Sequence, residues 1–338
     1  MDTKTQYIWQ GAFAQLEKWA NPADSFLVTD ENVFAAHKSK FKGWNTIVLK
    51  AGEAYKVQQT VDVVIDRLLA MGAHRQSTLV GVGGGVITDL TGYVAGIYQR
   101  GIRFGFVPTT LLSMVDAAIG GKNGVDVGEY KNMVGLIRQP HFLLYDFNLL
   151  KTLPLAEWRN GFAEIIKHAA IKDAKMFRDL QTHTLNHYRK NPIDLASLVK
   201  RNAQIKIKVI TQDPLEQGER KLLNFGHTLG HAIENKYALS HGEAISIGMS
   251  FAAWVSAYIK GYKDLTALMG LLQRYGLPTL SDFDARQAFK VLVKDKKSNG
   301  VDIHFVLLAK TGQGVVQPLL LVQVEQLLKD FQKLVHHG

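Results

Sequence analysis

Apolar, β-branched runs of strand length recur through the first 150 positions and then give way to helical periodicity. SFLVTD (25–30), NTIVLK (45–50), STLVGV (77–82), IRFGFV (102–107) and FLLYD (142–146) read as buried strands. Between the second and third, VQQTVDVVIDRLLAMG carries its apolar residues at helical spacing. Strands alternating with helices predict a parallel, Rossmann-like sheet with crossover helices. After LKTLP (150–154) the texture changes to long amphipathic stretches at 155–190, 193–212, 224–237, 243–261 and 263–275. The one strand-like signal beyond them is a short extended return at IHFVLLA (303–309). With Pro154 beside the switch, the expected fold is an α/β domain over 1–150 and an all-helical domain over 151–338. A cleft between two such domains is a usual place for a ligand.

Bulk properties narrow the function classes. At 338 residues the chain has room for two cores, and 46% apolar with 21% charged residues is the balance of a soluble globular protein. No apolar run approaches the length needed to span a bilayer, and the first residues, MDTKTQYIWQ, lack the pattern of a signal peptide. The chain has no cysteine, which fits a reducing cytoplasm and excludes a thiolate zinc site. The formal charge of +10 has two readings. Nucleic acid is disfavoured because Lys and Arg are scattered rather than gathered with interleaved aromatics. A small, strongly anionic substrate fits better, since several cations fall inside the motifs below.

Two segments carry chemistry. GVGGGVITDLTGYVA (81–95) follows the strand STLVGV, so Gly83, Gly84 and Gly85 form a strand-to-helix turn on which a pyrophosphate can rest. The spacing matches neither the dinucleotide fingerprint, because Val86 stands where a third glycine is needed, nor a P-loop. Asp89, one turn into the helix, is a candidate ribose or nicotinamide partner or an ordinary first-turn acid. NFGHTLGHAIE (224–234) sets His227 and His231 on one helical face, SHGEAISIGM adds His241, and GFAEIIKHAAI offers Glu164. Two imidazoles and a carboxylate from separate segments suit an open, catalytic divalent-metal site, and by spacing alone His231 is as eligible a ligand as His227 or His241.

The motifs GGGVITDLTGYVA, RGIRFGFVPTTLLSMVDAAIGGKNGVD (100–126), KNMVG, LKTLP, GFAEIIKH, EQGERKLLNFGHTLGHAIE, HGEAISIGM and DKK, in this order over nearly the whole chain, resemble the 3-dehydroquinate synthase family. The resemblance implies a lyase that needs NAD and a divalent metal, zinc or else cobalt. It would convert 3-deoxy-D-arabino-heptulosonate 7-phosphate to 3-dehydroquinate and phosphate in the shikimate pathway. The implied sequence is oxidation at C5, phosphate elimination, re-reduction, ring opening and an intramolecular aldol step, with NAD regenerated each turnover. By position it implies Glu164, His227 and His241 as metal ligands and makes His231 a polar catalytic group. Lys167, Asp116, Lys122 and Asn132 become further catalytic groups. Lys131, Lys206, Arg220, Asn224 and the DKK lysines, Lys296 or Lys297, become substrate contacts. Arg100 would reach the phosphate across a homodimer interface. Asp30, Glu53, Lys56, Gly83, Gly84, Gly85, Asp89, Thr109, Thr110 and Thr152 would contact NAD.

Met114, Ala117, Ala118 and Asn123 depart from the family's commoner Gln, Ser-Ser and Thr, which puts fine contacts near the expected cleft in question but touches no implied ligand. Rival readings are another sugar-phosphate cyclase, of the inosose or valiolone type, and a metal-dependent polyol dehydrogenase. Retention of Lys131, Asn132, Arg220, Asn224 and a DKK lysine favours the dehydroquinate reaction, because a substrate without a carboxylate needs fewer cations.

Overall fold

Among residues 4–128, 130–234, 236–295 and 301–337, which this computed structural model describes, every strand read from the first half is present. In chain order come β1 (Gln6–Ile8), β2 (Ser25–Asp30), α1 (Glu31–Ala36), β3 (Asn45–Leu49), α2 (Gln58–Ala70), β4 (Thr78–Gly83), α3 (Gly85–Ile97) and β5 (Arg103–Pro108). A hairpin follows, β6 (Lys122–Val127) and β7 (Tyr130–Ile137), and then β8 (Phe142–Leu144). The main sheet has the order β1-β8-β5-β4-β2-β3, and its pairings are parallel.

Alternation along the strands decides which side chains each face buries. Leu27, Val80, Val82, Val107, Phe142 and Leu144 pack with Phe13, Leu16 and Phe41 on one face. Within the same unit, Val61, Val64 and Leu68 of α2 and Ile87, Leu90 and Val94 of α3 are buried as well. Burying each such side chain contributes about 1.5–3 kcal/mol. Gly81 is needed where α3 crosses β4, because a Cβ there would lie 2.8 Å from Thr91 Oγ1.

β2 lies between β3 and β4, so the chain runs outward to β3 and then returns to the other side of β2. The carboxyl ends of β2 and β4 therefore flank a topological switch point, where open α/β sheets bind ligands. Asp30 ends β2, and Val82, one residue before Gly83, pairs with Thr29.

Two features here were not read from the sequence. β1 is only three residues long, and β7 is exposed along most of its length, so neither shows the alternation that marks a strand. The β6–β7 pairing depends instead on Gly124 and Gly135: a Cβ on either would come within 2.3 Å of a backbone oxygen of the facing strand.

The chain divides into two compact units, Met1–Glu157 with Pro192–Ala203, and Trp158–Asn191 with Gln204–Gly338. The later part is helical: α4 (Leu155–Lys172), α5 (Ala174–Thr182), α6 (Leu185–Lys190), α7 (Pro192–Gln212), α8 (His227–Glu234), α9 (His241–Lys260), α10 (Leu265–Arg274) and α11 (Ala285–Asp295). The extended return is an antiparallel hairpin, β9 (Asp302–Lys310) with β10 (Gln313–Leu320), followed by α12 (Leu321–His337).

Helix boundaries obey local chemistry. Asp173 caps α5 through the Met176 N–H at 2.9 Å, Pro192 opens α7, and Ser240 with Glu243 forms a capping box on α9. Gly261, at φ +68°, closes α9 in the left-handed conformation. Leu229, Ile233, Ile247, Phe251, Phe305, Leu307, Leu328 and Phe331 form the core that α8, α9, β9 and α12 share. Among the described residues no helix is long and apolar enough to cross a membrane.

Candidate active site

In the second unit the separation of α8 from α9 is set by absent side chains. A Cβ on Gly248 would lie 1.9 Å from Gly226 O, and one on Gly230 would lie 2.8 Å from Ile245 Cδ1. Gly226 itself takes φ +80° at the turn into α8. On the other side of α9, the Gly242 N–H donates to Asn160 Oδ1 at 3.0 Å, and a Cβ at 242 would strike Asn160 Cα at 2.6 Å. Asn160 and Glu164 are one turn apart on α4, so this close approach delivers the Glu164 carboxylate to His241 at the start of α9.

The result is a tight donor set. His227 Nε2 and His241 Nε2 lie 3.5 and 3.3 Å from the same oxygen, Glu164 Oε1. One ligand atom from each of the three residues falls within 4.8 Å of the others. Glu164 is fully buried, and the Lys167 ammonium rests against its second oxygen. Burial alone would raise the Glu164 pKa, but the charge of Lys167 and the two imidazoles hold it well below the usual carboxylate range. Burial pushes the His227 imidazole down, and nearby Lys167 adds to the effect, so this ring stays neutral and can donate a lone pair. His241 differs: burial opposes its charge, but Glu164 and Glu234 together raise it to about 9. His231 is exposed, with its ring centroid 5.1 Å from that of His227.

The chemistry of this set fits a divalent metal. It offers two imidazole nitrogens and one ionised carboxylate oxygen, the number of protein ligands found in catalytic zinc sites. The His227 Nδ1 faces Phe225 O at 3.2 Å, which leaves Nε2 as the lone-pair nitrogen.

Arg220 and Asn224 hold the turn before α8. The Arg220 guanidinium is buried and donates from Nη1 to Pro214 O at 2.8 Å, while its backbone N–H donates to Asp213 Oδ2 at 2.9 Å. Asn224 Nδ2 donates to Glu216 Oε1 at 2.7 Å. Lys206 is buried on α7. Lys296 and Lys297 lie outside the described residues.

In the first unit, Gly83 ends β4, Gly84 precedes α3 and Gly85 begins it, and Gly84, as the cap residue, has no side chain to cap this helix start. Its first backbone N–H groups suit an anion. Glycine at 83 is required by packing, since a Cβ would fall 2.5 Å from Ile87 Cβ. None of these three glycines has positive φ, so close approach rather than backbone handedness is the reason for them.

One turn into α3, Asp89 Oδ2 lies 2.6 Å from Lys56 Nζ, and that ammonium also donates to Asn132 Oδ1 at 2.6 Å. Glu53 is 4.0 Å away. Lys56 is buried; burial opposes its charge, but Asp89, Glu53 and Asp126 outweigh this and raise its pKa. Asp126 was not singled out in the sequence, yet its Oδ1 accepts the Asn132 N–H at 2.7 Å and its own N–H donates to Lys56 O. It sustains Asn132 at φ +56°. Only a charge inside a longer motif pointed to it.

Of the remaining first-unit residues, Thr109 and Thr110 lie against the glycine turn: the Thr109 N–H donates to Gly83 O at 2.9 Å, and a Cβ on Gly84 would lie 3.1 Å from Thr110 Cγ2. The Asp30 Oδ1 caps α1 through Asn32 and Val33 at 2.9 and 3.0 Å. The Thr109 hydroxyl is buried without a hydrogen-bond partner among the described residues, and Thr110 exchanges hydrogen bonds with Ser113. Asp116 is half-buried in a π-turn spanning Ser113–Ala117, a geometry frequent at functional sites. Thr152 is exposed, with its hydroxyl 2.9 Å from His37 Nε2. Arg100 and Lys122 are exposed and Lys131 half-buried, and Arg100 holds φ +63° beside Gln99 at +51°.

The departures have structural readings. Met114 is fully buried, and Asn123 donates to Gly121 O and Arg138 O at 2.7 and 3.0 Å, so both serve packing.

Comparison with known proteins covers both units. The 3-dehydroquinate synthase N-terminal family matches residues 46–160, and the 3-dehydroquinate synthase C-terminal family matches 161–298. The 3-dehydroquinate synthase of Alkaliphilus metalliredigens is 37% identical over 335 residues, covering 94% of this chain and 93% of that protein. That of Sulfurimonas denitrificans is 39% identical over 302 residues, covering 86% and 85%. Among solved structures, 2-epi-5-epi-valiolone synthase from Streptomyces hygroscopicus, with NAD+ and Zn2+ bound, is 27% identical with a TM-score of 0.90, covering 98% of each chain. A 2-deoxy-scyllo-inosose synthase complexed with carbaglucose-6-phosphate, NAD+ and Co2+ is 25% identical with a TM-score of 0.83, covering 97% of each. Matches to both family halves and identity above one third over most of its length make this chain a member of the 3-dehydroquinate synthase family.

Proposed function

We propose that the protein is a 3-dehydroquinate synthase, converting 3-deoxy-D-arabino-heptulosonate 7-phosphate to 3-dehydroquinate and phosphate. The observation that carries this reading is the convergence of Glu164, His227 and His241 in a chain related over nearly its full length to enzymes of that name.

Glu164, His227 and His241 would hold a divalent metal, zinc or cobalt, whose Lewis acidity would favour loss of a hydroxyl proton. The Gly83–Gly85 turn, with Asp30, Glu53, Thr109, Thr110 and Thr152 as further contacts, would hold NAD, which would supply reversible hydride chemistry. The chain's own residues do the rest. Lys167 keeps Glu164 ionised and fixed against α4. Lys56, braced between Asp89 and Asn132, stays charged and holds both partners in place before substrate arrives. His231 stands exposed beside His227, where an imidazole can move a proton between a bound molecule and water. Asp116 would accept hydrogen bonds from substrate hydroxyls. Lys122, Lys131, Lys206, Arg220, Asn224 and a DKK lysine would meet the phosphate and carboxylate, with Arg220 supplying a bidentate fork.

Homodimerisation belongs to the same proposal. Tyr130, Met133, Val134 and Ile137 are exposed apolar side chains along β7, a surface that a second copy of the chain would cover. Arg100, at the exposed turn after α3, would then serve the partner's substrate. A cytoplasmic setting is also proposed, on the cysteine-free composition.

A second reading, a cyclase for another sugar phosphate, is favoured by the fold match to the valiolone and inosose synthases. The higher identity to the dehydroquinate enzymes argues against it. Purified protein given the heptulosonate phosphate, NAD+ and zinc should release phosphate without accumulating NADH. No release, in protein that binds NAD+ and zinc, would move the assignment to another sugar phosphate; net NADH from a simple polyol would favour a dehydrogenase.

A further inference from the structure

The face of α8 that carries His227 and His231 continues one turn to Glu234, the last residue of the helix, since 227, 231 and 234 follow the i, i+4, i+7 pattern. Neither the composition nor the metal-ligand pattern of the sequence gives Glu234 a task. Its side chain is only 11% exposed, and its Oε2 lies 3.6 Å from Nδ1 of His241. That is an ion-pair distance, somewhat longer than a hydrogen bond. On the other side of the same ring, Nε2 points at Glu164 Oε1. The ring of His241 is thus set between two carboxylates, one at each nitrogen.

His227 provides the comparison. Its Nε2 faces the same Glu164 oxygen, but its Nδ1 faces a neutral backbone carbonyl, Phe225 O. Both rings therefore present Nε2 to one point, each with an acceptor behind it, and the acceptors differ in charge. An acceptor at Nδ1 fixes the tautomer with the lone pair on Nε2, and an ionised acceptor also makes that lone pair a stronger donor. Charge balance points the same way. A divalent cation beside Glu164 alone would leave one uncompensated positive charge, before Lys167 is counted; Glu234 supplies the second carboxylate.

We propose that Glu234 is a positioning residue for the metal: its carboxylate takes the Nδ1–H of His241 and commits Nε2 to the metal. The assignment rests on the reading of Glu164, His227 and His241 as ligands.

The test uses the full-length protein, stripped of metal, and zinc alone as the probe. Zinc affinity is measured by competition with a chromophoric chelator for the wild type, Glu234→Gln and Glu234→Ala. Cobalt(II) absorption spectra are recorded in parallel. Glu234→Ala should bind zinc about 10- to 100-fold more weakly. Glu234→Gln, which keeps the shape and loses the charge, should fall between it and the wild type. The cobalt spectrum should change in band position or intensity, and the thermal midpoint without metal should stay close to that of the wild type. A purely structural role would lower that midpoint and leave the affinity of the folded protein for zinc unchanged, which would overturn the proposal. Equal zinc affinity and identical cobalt spectra in all three proteins would overturn it too. If the wild type itself fails to bind zinc or cobalt, the ligand assignment falls and takes this role with it.

Discussion

Glu164 concentrates the problem that the site solves: a carboxylate with no exposure, ionised because an ammonium and two imidazoles surround it. Removing one partner from such a cluster leaves uncompensated charge, which is more damaging than the pair is stabilising. Glu164 and His227 each supply one of only three donors, so Glu164→Ala or His227→Ala should abolish zinc binding and turnover together, read by chelator competition and phosphate release on the same preparation. Full activity of either variant in metal-depleted buffer would refute the ligand assignment. At this scale the sequence was informative wherever spacing forces proximity. His227 and His231 had to share a helical face, and Gly83 had to meet a helix start. The sequence could not choose among three histidines by spacing. The folded chain directs Nε2 of His227 and of His241 at one Glu164 oxygen and leaves His231 exposed. Asp126 and Glu234 were passed over because their meaning depends on what lies across from them, Asn132 in one case and His241 in the other.

Helices α8 and α9 can bring their histidines together only because glycines line the contact between them. Gly248→Ala would put a methyl group 1.9 Å from Gly226 O, and neither backbone can yield without moving α8. The substitution should cost about 1–3 kcal/mol in urea unfolding and weaken zinc binding as well, because His227 opens α8. Gly270 in α10 is the control: nothing lies within 4 Å of a Cβ there, so Gly270→Ala should stabilise by about 0.5–1 kcal/mol. An equal effect at the two positions would dismiss the packing argument. Elements with strong periodicity or caps were legible. β2 was read over 25–30, where it is found, and Pro192 opens α7 one residue before the stretch read at 193–212. The β6–β7 hairpin escaped because its outer strand faces solvent along most of its length. β10 carries Pro318, which in sequence argues against a strand and in the structure lies on a two-stranded hairpin.

Several buried phenols set the pH behaviour of the molecule as a whole. Burial raises Tyr7 and Tyr262 to about 12, and raises Tyr145 and Tyr275 as well. In the unfolded chain these groups ionise near pH 10, whereas the folded protein keeps their protons. The unfolded state then binds fewer protons, so stability falls as pH rises through about 10. The Lys56 ammonium acts in the same sense, since its pKa is also raised. Thermal midpoints should drop between pH 9 and 11. Tyr145→Phe should shrink that drop and cost nothing at neutral pH, because the Tyr145 hydroxyl is buried without a hydrogen-bond partner among the described residues; an unaltered pH profile would count against the phenol account. Periodicity, turn chemistry and capping act over a few residues, so the sequence alone determined that a parallel sheet with crossover helices precedes a helical region, that glycines open α3 and that two histidines share a face. Which imidazoles converge on Glu164, which carboxylate stands behind His241 and which buried lysine Asn132 meets depend on segments tens of residues apart. Those contacts exist only after α4, α8 and α9, or α3 and β7, have packed at distances set by glycines and core side chains, and so the tertiary structure decided them.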